Sequence, residues 1–343
     1  MKKIAIVTIV SANYGNRLQN YALQKVLESL NYSVETLKRD ISNNSVTNVI
    51  KKFFQILLRT KGSKFDQFNK YIKFSKYSVL KDYYPVELNK IYDYFISGSD
   101  QVWNPYYEFV AGKCDFLEFA NDKQKISYAA SFGVSDIPIE KKQEYAAYLD
   151  KYKEISVREI QGAKIVNELT GRKAQVVLDP TLLLTNVEWM NIEKKPRFMP
   201  KKRYVFIYAL GEKNRYFQNK IDDLAGKYEI FDAQLIKKNG KELAIGPSEF
   251  IYLLRNAEVV LTDSFHATVF SILFHKKFIT FNRPGLNMNS RIESLAEMIK
   301  LDNYFTNNGN LVCEQLIDFS NVDKILNVQR KKSIDFLKSA LSK

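Results

Sequence analysis

The chain has 343 residues, 45% of them hydrophobic, and its 52 Lys and Arg against 38 Asp and Glu give a formal net charge of +14. This length exceeds one ordinary core, so we expect two domains. No apolar run approaches the ~20 residues of a membrane-spanning helix, and the apolar start lacks a signal-peptide cleavage site. The only two cysteines, Cys114 and Cys313, lie far apart, which argues against a disulfide framework or zinc site and favours a reducing cytoplasm.

The excess of positive charge has three candidate partners: nucleic acid, an anionic membrane, or a strongly anionic substrate. The sequence contains no zinc finger, helix-turn-helix or aromatic RNA-binding motif, so we expect no nucleic-acid partner. Enrichment of Lys, Asn and Ile by an AT-rich genome is a competing explanation of the charge.

The first half of the chain predicts alternating strands and helices. Residues 4–10 form a continuous apolar run, typical of a strand buried on both faces, and a helix over 17–30 and a strand over 33–37 follow. This order predicts a parallel sheet with right-handed crossovers. The first turn has one Gly and no G-x-G-x-x-G pattern, so a dinucleotide site is not expected there.

Residues 41–90 interrupt the alternation. Apolar residues over 46–58, then Phe65, Phe68 and Ile72, have helical spacing and predict two amphipathic helices. The stretch 50–90 holds ten Lys or Arg against three Asp or Glu. One interpretation is a basic, aromatic surface that lies on an anionic membrane or beside a lipid-linked substrate. The alternative is a helix pair that packs its apolar faces inward and exposes Lys to water.

The predicted strand 91–96 ends in a segment of small and polar residues followed by Trp, S-G-S-D-Q-V-W-N-P over 97–105, which is typical of a binding loop. We predict that Ser99, Asp100, Gln101 and Trp103 contact substrate. The alternative is a structural turn with Trp103 buried. Arg158 follows the strand 154–157 in the first turn of a helix, and we predict that it binds substrate; a surface ion pair is the alternative.

Residues 186–202, with two prolines and five Lys or Arg, predict a linker. The strand–helix pattern then restarts, and its most informative unit lies at 258–291. An apolar run ends at Thr262-Asp263-Ser264, a helix follows, and a second strand occupies 278–281. His266 falls in the first helical turn, at the sheet edge where ligands bind and where free backbone N–H groups favour an anion. We predict His266 as the catalytic centre; a structural histidine is the alternative.

Two α/β halves predict a fold of two Rossmann-like domains with parallel sheets facing a cleft, as in GT-B glycosyltransferases. Seven stretches also resemble the polysaccharide pyruvyl transferase family, whose members move a pyruvyl group from phosphoenolpyruvate onto a sugar. They are NYGNRLQNYALQ (13–24), SGSDQVWNP (97–105), SYAASFG (127–133), SVRE (156–159), VVLDPTLLL (176–184), GPSEF (246–250) and TDSFHATVFSILF (262–274).

The expected domains are an acceptor-side domain over 1–185 carrying the basic insertion 41–90, the linker 186–202, and a donor-side domain over 203–320. A final helix over 321–343 is a candidate to cross back to the first domain. Members of the family use an Arg at a helix start, a His and a later basic residue, which match Arg158, His266 and Arg291. Arg283 competes for the third role.

Relatives carry Ser-x-Arg-x-His, whereas this chain has Asp263-Ser264-Phe265-His266 and lacks that arginine. Ser264, Asn13 and Asn16 complete the predicted substrate contacts. The resemblance implies phosphoenolpyruvate as co-substrate, no cofactor and no metal, and a sugar acceptor of a capsule or exopolysaccharide, either free or lipid-linked. The predicted location is the cytoplasm, with peripheral membrane contact left open. Two other functions stay open: a glycosyltransferase that uses a nucleotide sugar, and a non-catalytic protein that binds anionic glycans.

Overall fold

The computed structural model of the protein describes residues 1–40, 61–80, 85, 87–107, 112–234, 237–238, 241–242, 244–283, 290–314 and 317–342. These residues fall into two compact units. The first draws on Met1–Val46, Asn69–Leu183 and Asn327–Lys343, and the second on Thr47–Phe68 and Leu184–Leu326. Each unit is built around its own five-stranded sheet.

The strands and helices alternate along most of the chain. The strands are Lys3–Val7 (β1), Ser33–Asp40 (β2), Phe74–Leu80 (β3), Tyr94–Ser97 (β4), Lys125–Ser127 (β5), Ser156–Val157 (β6), Gln175–Val176 (β7), Tyr204–Tyr208 (β8), Glu229–Asp232 (β9), Lys237–Lys238 (β10), Lys241–Glu242 (β11), Val259–Thr262 (β12), Lys277–Thr280 (β13) and Leu311–Cys313 (β14). The helices are Tyr14–Ser29 (α1), Lys61–Phe68 (α2), Leu88–Ile91 (α3), Ile139–Asp150 (α4), Ile160–Thr170 (α5), Pro180–Leu183 (α6), Asn186–Met190 (α7), Arg215–Ala225 (α8), Pro247–Arg255 (α9), Phe265–Leu273 (α10), Ser290–Ile299 (α11) and Phe319–Ser342 (α12).

The sheet of the first unit is entirely parallel, in the order β3-β2-β1-β4-β5. Its central strand β1 has four consecutive buried residues, Ile4 to Val7, each 0% exposed. A strand covered on both faces needs such an uninterrupted apolar run, which explains why β1 does not alternate apolar and polar residues. The pair β6–β7 is parallel too, and single bridges, including Ala130 to Val157, join β6 to the segment around β5.

The sheet of the second unit has the order β14-β13-β12-β8-β9 and is parallel except for β14, which runs antiparallel to β13. All four residues of its central strand β12 are buried. The carboxyl ends of parallel strands share one edge of a sheet, and this is where ligands bind in open α/β sheets. In the second unit the turn between β12 and α10 lies on that edge.

The helical insertion of the first domain predicted over 41–90 is divided in the structure. One part is a helix of the second unit and another is a strand of the first. Residues 61–68 form α2 but belong to the second unit, where Lys64 Nζ lies 2.5 Å from Glu249 Oε1. Residues 74–80 form strand β3 beside β2. The helical spacing ends at Ile72, and the open edge of β2 offers hydrogen-bond partners to the segment that follows. The helix predicted over 46–58 lies outside the described residues.

The segment 186–202, predicted as a linker, belongs to the second unit in the structure. It begins with α7, which is capped at Thr185 by a capping box with Glu188. Trp189 is 0% exposed and meets Phe270 edge-on, with ring centroids 5.0 Å apart. The segment therefore packs into the second unit, and the boundary between the units falls between Leu183 and Leu184. The two prolines and the basic residues are typical of a linker, but the capping box at Thr185 and Glu188 starts a helix.

The final helix begins at Phe319 and belongs to the first unit from Asn327 onward. In that unit Arg330 Nε donates to the carbonyl of Leu182 at 2.6 Å. In the parts of the chain that the structure describes, no helix is both long enough and apolar enough to span a bilayer.

Candidate active site

Arg158 lies at the centre of a buried polar cluster in the first unit. It follows β6 directly and is 1% exposed. Its guanidinium donates to Asp179 Oδ2 at 2.8 Å and to Asp100 Oδ1 at 3.4 Å. Burial alone would lower the pKa of Arg158, but the carboxylates of Asp100, Asp179 and Glu159 outweigh it and raise the pKa. Arg158 is thus a buried cation whose guanidinium already contacts two carboxylates.

Asp179 is the carboxylate that holds Arg158 most closely. It follows β7 and accepts hydrogen bonds from Ser99 Oγ at 2.9 Å and from Thr181 N and Oγ1 at 3.0 and 2.6 Å. Sequence reasoning missed it as a site residue, although, like Arg158, it comes just after a strand. The position of Asp179 directly after a predicted strand is the sequence feature that could have identified it.

Asp100 connects this cluster to the loop that follows β4. Its φ of +75° is a left-handed conformation that few residues other than Gly, Asn and Asp adopt. It accepts from Gln101 N at 2.8 Å and from Asn16 Nδ2, and Asn16 in turn accepts from Ser11 Oγ. The structure thus brings together Asn16, Ser99, Asp100 and Arg158. Asn13 instead caps α1, accepting from a backbone N–H of its first turn at 2.9 Å.

Trp103 does not belong to a binding surface. Its side chain is 0% exposed and stacks on Phe116 with an interplanar angle of 2° and centroids 5.5 Å apart. Phe132 and Tyr152 complete the aromatic enclosure. A ring buried in this way cannot touch a sugar, so the prediction of a substrate contact for Trp103 is wrong. The alternative, a structural turn with Trp103 buried, agrees with its position. Gln101 is 6% exposed and accepts from a neighbouring amide in the same loop.

Glu159 fixes the loop after β5 and was also missed. It is 0% exposed, and its Oε1 accepts from Ser131 Oγ at 2.9 Å and from the backbone N–H groups of Phe132 and Gly133 at 2.9 and 3.3 Å. A side chain at Gly133, whose φ is +64°, would collide with Gln101. The loops after β4 and β5 therefore fit together closely.

In the second unit, a two-residue turn places His266 in the first turn of α10. β12 ends at Thr262 and α10 begins at Phe265. At the cap position, Ser264 N donates to Thr262 Oγ1 at 2.9 Å, and the Ser264 carbonyl accepts from Thr268 N at 3.0 Å. The side chains of Ser264 and His266 are buried at 4% and 6% exposure. Both predicted residues lie at the carboxyl end of the central strand.

Phe265 links His266 to Arg291. The rings of Phe265 and His266 meet edge-on, with an interplanar angle of 88° and centroids 5.3 Å apart. The Cζ of Arg291, in the first turn of α11, lies 5.9 Å from the centroid of Phe265. A guanidinium near an aromatic ring is attracted by the negative potential of the ring face. All three side chains are buried, so charges here act in a medium of low polarity.

Asp263 joins three strand ends around this turn. Its carboxylate accepts from Leu210 N at 2.6 Å, from Gly211 N at 2.7 Å and from Arg283 Nε at 3.1 Å. A side chain at Gly211 would come within about 3 Å of Arg283, so Gly permits the close approach. Arg283 is therefore held by Asp263, and of the two competing arginines Arg291 is the one beside the Phe265–His266 pair.

The other histidine is part of a different contact. His275 follows α10, and its Nε2 lies 3.1 Å from Asp323 Oδ1 while its ring stacks on Phe319 with centroids 4.6 Å apart. Both partners belong to the final helix. His275 thus joins α12 to the end of α10.

A cavity of about 520 Å³ in the first unit lies away from these strand ends. It is lined by residues that precede β6 and β7, including Glu154 and Lys173, and by Phe336 of α12. The polar residues described above follow the strands and do not precede them. Among the described residues, no three His, Cys, Asp or Glu are arranged to hold a metal ion, and metal independence stays a prediction.

Comparison with known proteins identifies the family. The sequence model described as polysaccharide pyruvyl transferase matches residues 13–284, more than three quarters of the chain. The chain belongs to the polysaccharide pyruvyl transferase family. The matched range 13–284 includes Arg158, His266 and Arg283, whereas Arg291 lies beyond the end of that range. No curated protein sequence matches the chain.

Solved structures resemble this pyruvyl transferase family member in fold. A UDP-N-acetylglucosamine 2-epimerase from Rickettsia bellii has 10% identity and a TM-score of 0.52, covering 99% of this chain and 96% of its own. A protein assigned to the same activity from Listeria monocytogenes has 11% identity and a TM-score of 0.50, covering 98% and 90%. These likenesses confirm the predicted GT-B-like fold class of Rossmann-like domains with parallel sheets. At such identities they carry no information about chemistry.

Proposed function

We propose that the protein transfers the pyruvyl group of phosphoenolpyruvate to a sugar of a bacterial surface polysaccharide, or of its lipid-linked precursor, and forms a cyclic ketal. The observation that carries this proposal is the buried group of His266, Phe265 and Arg291 at a strand end. It supplies an acid–base residue and an anion-binding cation in one unit of a polysaccharide pyruvyl transferase family member.

The donor carries two anionic groups, a carboxylate and a phosphate, so its site needs cations and N–H donors. Arg291 supplies a planar guanidinium that pairs with either group in a bidentate manner. The first turn of α10 adds backbone N–H groups and the positive end of the helix dipole, and the Ser264 hydroxyl is a further donor. In this proposal Arg283 shapes the site through its ion pair with Asp263.

The chemistry requires proton transfer in both directions. When the first sugar hydroxyl bonds to C2 of the enol, C3 gains a proton and the hydroxyl loses one. A second hydroxyl then bonds to C2, the C2–O bond to phosphate breaks with its electrons on the phosphate, and that hydroxyl's proton is carried away with inorganic phosphate. Protonated His266 donates to C3, and neutral His266 accepts a hydroxyl proton. C3 is formally reduced and C2 formally oxidised by the same amount, so the reaction is redox-neutral overall and its stoichiometry calls for no redox cofactor.

The cluster in the first unit is assigned to positioning on the acceptor side. Arg158 contacts Asp100 and Asp179 and thereby holds the loops after β4 and β7 in place. Polar groups of Asn13 and Asn16 at the start of α1, and of Gln101 in the loop after β4, are the proposed sugar contacts. Arg158 thus acts through its neighbours in this proposal.

The test combines phosphoenolpyruvate that carries ¹³C in all three carbons with capsule or exopolysaccharide fragments, free and lipid-linked. We expect phosphate release that matches, mole for mole, a labelled three-carbon increment on the glycan. His266→Ala should abolish both signals, and the folded state of that variant is checked by circular dichroism. Transfer of sugar from a nucleotide sugar, with phosphoenolpyruvate left intact, would overturn the proposal.

A further inference from the structure

Two consecutive tyrosines stand exposed just beyond the loop that follows β4. Tyr106 is 66% exposed and Tyr107 is 40% exposed. Among the described residues, the one other large exposed aromatic side chain is Tyr216, in the second unit. Large exposed aromatic surface is costly in water, so two consecutive exposed tyrosines indicate a binding role.

The turn that presents the tyrosines is fixed by hydrogen bonds. Asn104 Oδ1 accepts from Tyr106 N at 3.0 Å, and the Asn104 carbonyl accepts from Tyr107 N at 3.3 Å. Asn104 Nδ2 in turn donates to Gln101 Oε1 at 2.7 Å, and Lys141 Nζ of α4 donates to the carbonyl of Pro105. These hydrogen bonds constrain the backbone that carries the two tyrosines, which lowers the backbone entropy lost when a ligand binds.

We propose that Tyr106 and Tyr107 form a stacking platform for sugar rings of the acceptor chain, beyond the sugar that receives the pyruvyl group. This proposal rests on the proposed function, which makes the acceptor a glycan. A sugar ring has apolar C–H faces and a hydroxyl rim, and tyrosine matches both with an apolar ring and a phenol.

The platform is continuous with the proposed acceptor contacts. Gln101 and Tyr106 are both hydrogen-bonded to Asn104, so the tyrosines belong to the same hydrogen-bonded loop as a proposed acceptor contact. A polysaccharide extends beyond the sugar whose two hydroxyls react. Contacts with its unreacting sugars position the reacting ones, and two rigid aromatic rings suit that task.

A membrane surface is the main competing ligand, because Tyr and Lys favour lipid interfaces. Ile139 distinguishes the two, since it is 81% exposed on α4, the same helix whose Lys141 holds the loop. A membrane would bury Ile139 together with the tyrosines. Sugar stacking depends on the aromatic rings and gains nothing from Ile139.

The experiment measures binding of defined hexasaccharides of glucose, galactose, mannose and N-acetylglucosamine to the full-length protein by saturation-transfer NMR and titration, without phosphoenolpyruvate. We expect at least one to bind, and the double variant Tyr106→Ala with Tyr107→Ala to weaken its binding about tenfold or more. The matched Phe variants should retain most of the affinity, and Ile139→Ser and Tyr216→Ala should leave it unchanged.

Several outcomes would overturn the platform. They are wild-type affinity in the double Ala variant, equal losses in the Phe and Ala variants, or no hexasaccharide bound at millimolar concentration. Binding to phosphatidylglycerol vesicles that Ile139→Ser and the double Ala variant both abolish would assign the surface to membrane. Failure of pyruvyl transfer with tyrosine-dependent glycan binding intact would refute the proposed reaction and leave the platform standing.

Discussion

Both units hold an arginine on a carboxylate near their strand ends, and the second unit has a further buried arginine on an aromatic ring. In the first, Arg158 contacts two carboxylates, Asp100 and Asp179. In the second, Asp263 holds Arg283, while Arg291 packs on the ring of Phe265 beside His266. A guanidinium bonded to two buried carboxylates holds loops together, whereas one on an aromatic ring next to an acid–base residue suits an anionic substrate. The proposed function accordingly has the chemistry in the second unit and the positioning of the acceptor in the first.

The largest effect should come from His266→Ala. Loss of the proposed acid–base residue is expected to lower the rate of phosphate release by about 10²–10⁴-fold, and urea unfolding checks that the variant stays folded, since the side chain is buried. Initial-rate measurements with saturating substrates check this. The matched control is His275→Ala, which removes the other histidine and should keep the rate near that of the wild type. Equal activity losses in both variants would remove the distinction between the two histidines.

Asp179→Asn should have the largest effect on stability. The change leaves the buried Arg158 without its closest carboxylate, and breaking a buried ion pair in this way costs about 3–5 kcal/mol. Urea unfolding followed by circular dichroism measures the loss. The control Thr181→Val removes one hydroxyl hydrogen bond to the same carboxylate but keeps the ion pair, and should cost less, about 1.5–3 kcal/mol. A wild-type unfolding midpoint for Asp179→Asn would contradict the structural role of the Arg158 cluster.

Asp263→Asn should have an intermediate effect in the second unit. An amide keeps one acceptor oxygen for the N–H groups of Leu210 and Gly211 but loses the charge that pairs with Arg283. We expect about 1–3 kcal/mol less stability and a higher KM for phosphoenolpyruvate with a smaller change in kcat. Steady-state kinetics separate the two parameters. A fall in kcat with an unchanged KM would instead place Asp263 in the chemical step.

The smallest effect concerns the two thiols, one in each unit. Burial, then the neighbouring Asp115, raises the pKa of Cys114 to about 11, and burial raises the pKa of Cys313 to about 12. At pH 8 both thiols stay neutral, so iodoacetamide should react only when a unit opens. Peptide mass spectrometry should show faster labelling of Cys114 in Asp179→Asn with Cys313 unchanged. Parallel acceleration at both sites would mean that the units open together.

The sequence predicted correctly those strands and helices that depend on the pattern of residues next to one another in the chain. The apolar run at 259–261, the polar turn and the helical spacing after it placed His266 correctly in the first turn of α10. The strand β3 was missed because its pairing depends on the free edge of β2, which lies far away in the chain. The same holds for the packing of Lys64 against Glu249.

The roles of individual polar side chains were harder to predict. Asp179 and Arg158 are 21 residues apart in sequence, and nothing in either segment indicates that they form an ion pair. Trp103 follows a polar cluster, which suggested a ligand, but the aromatic residues that enclose it come from three later segments. Asp263 and Arg283 likewise meet only because β12 and β13 are neighbours.

The most direct test of the division between the units is the affinity for phosphoenolpyruvate in two matched variants, Arg291→Gln and Arg283→Gln, measured by isothermal titration calorimetry. Our account predicts that Arg291→Gln weakens binding by about tenfold to a hundredfold, as expected for the loss of charged hydrogen bonds, and that Arg283→Gln has a clearly smaller effect. Wild-type affinity in Arg291→Gln, together with a large loss in Arg283→Gln, would contradict it.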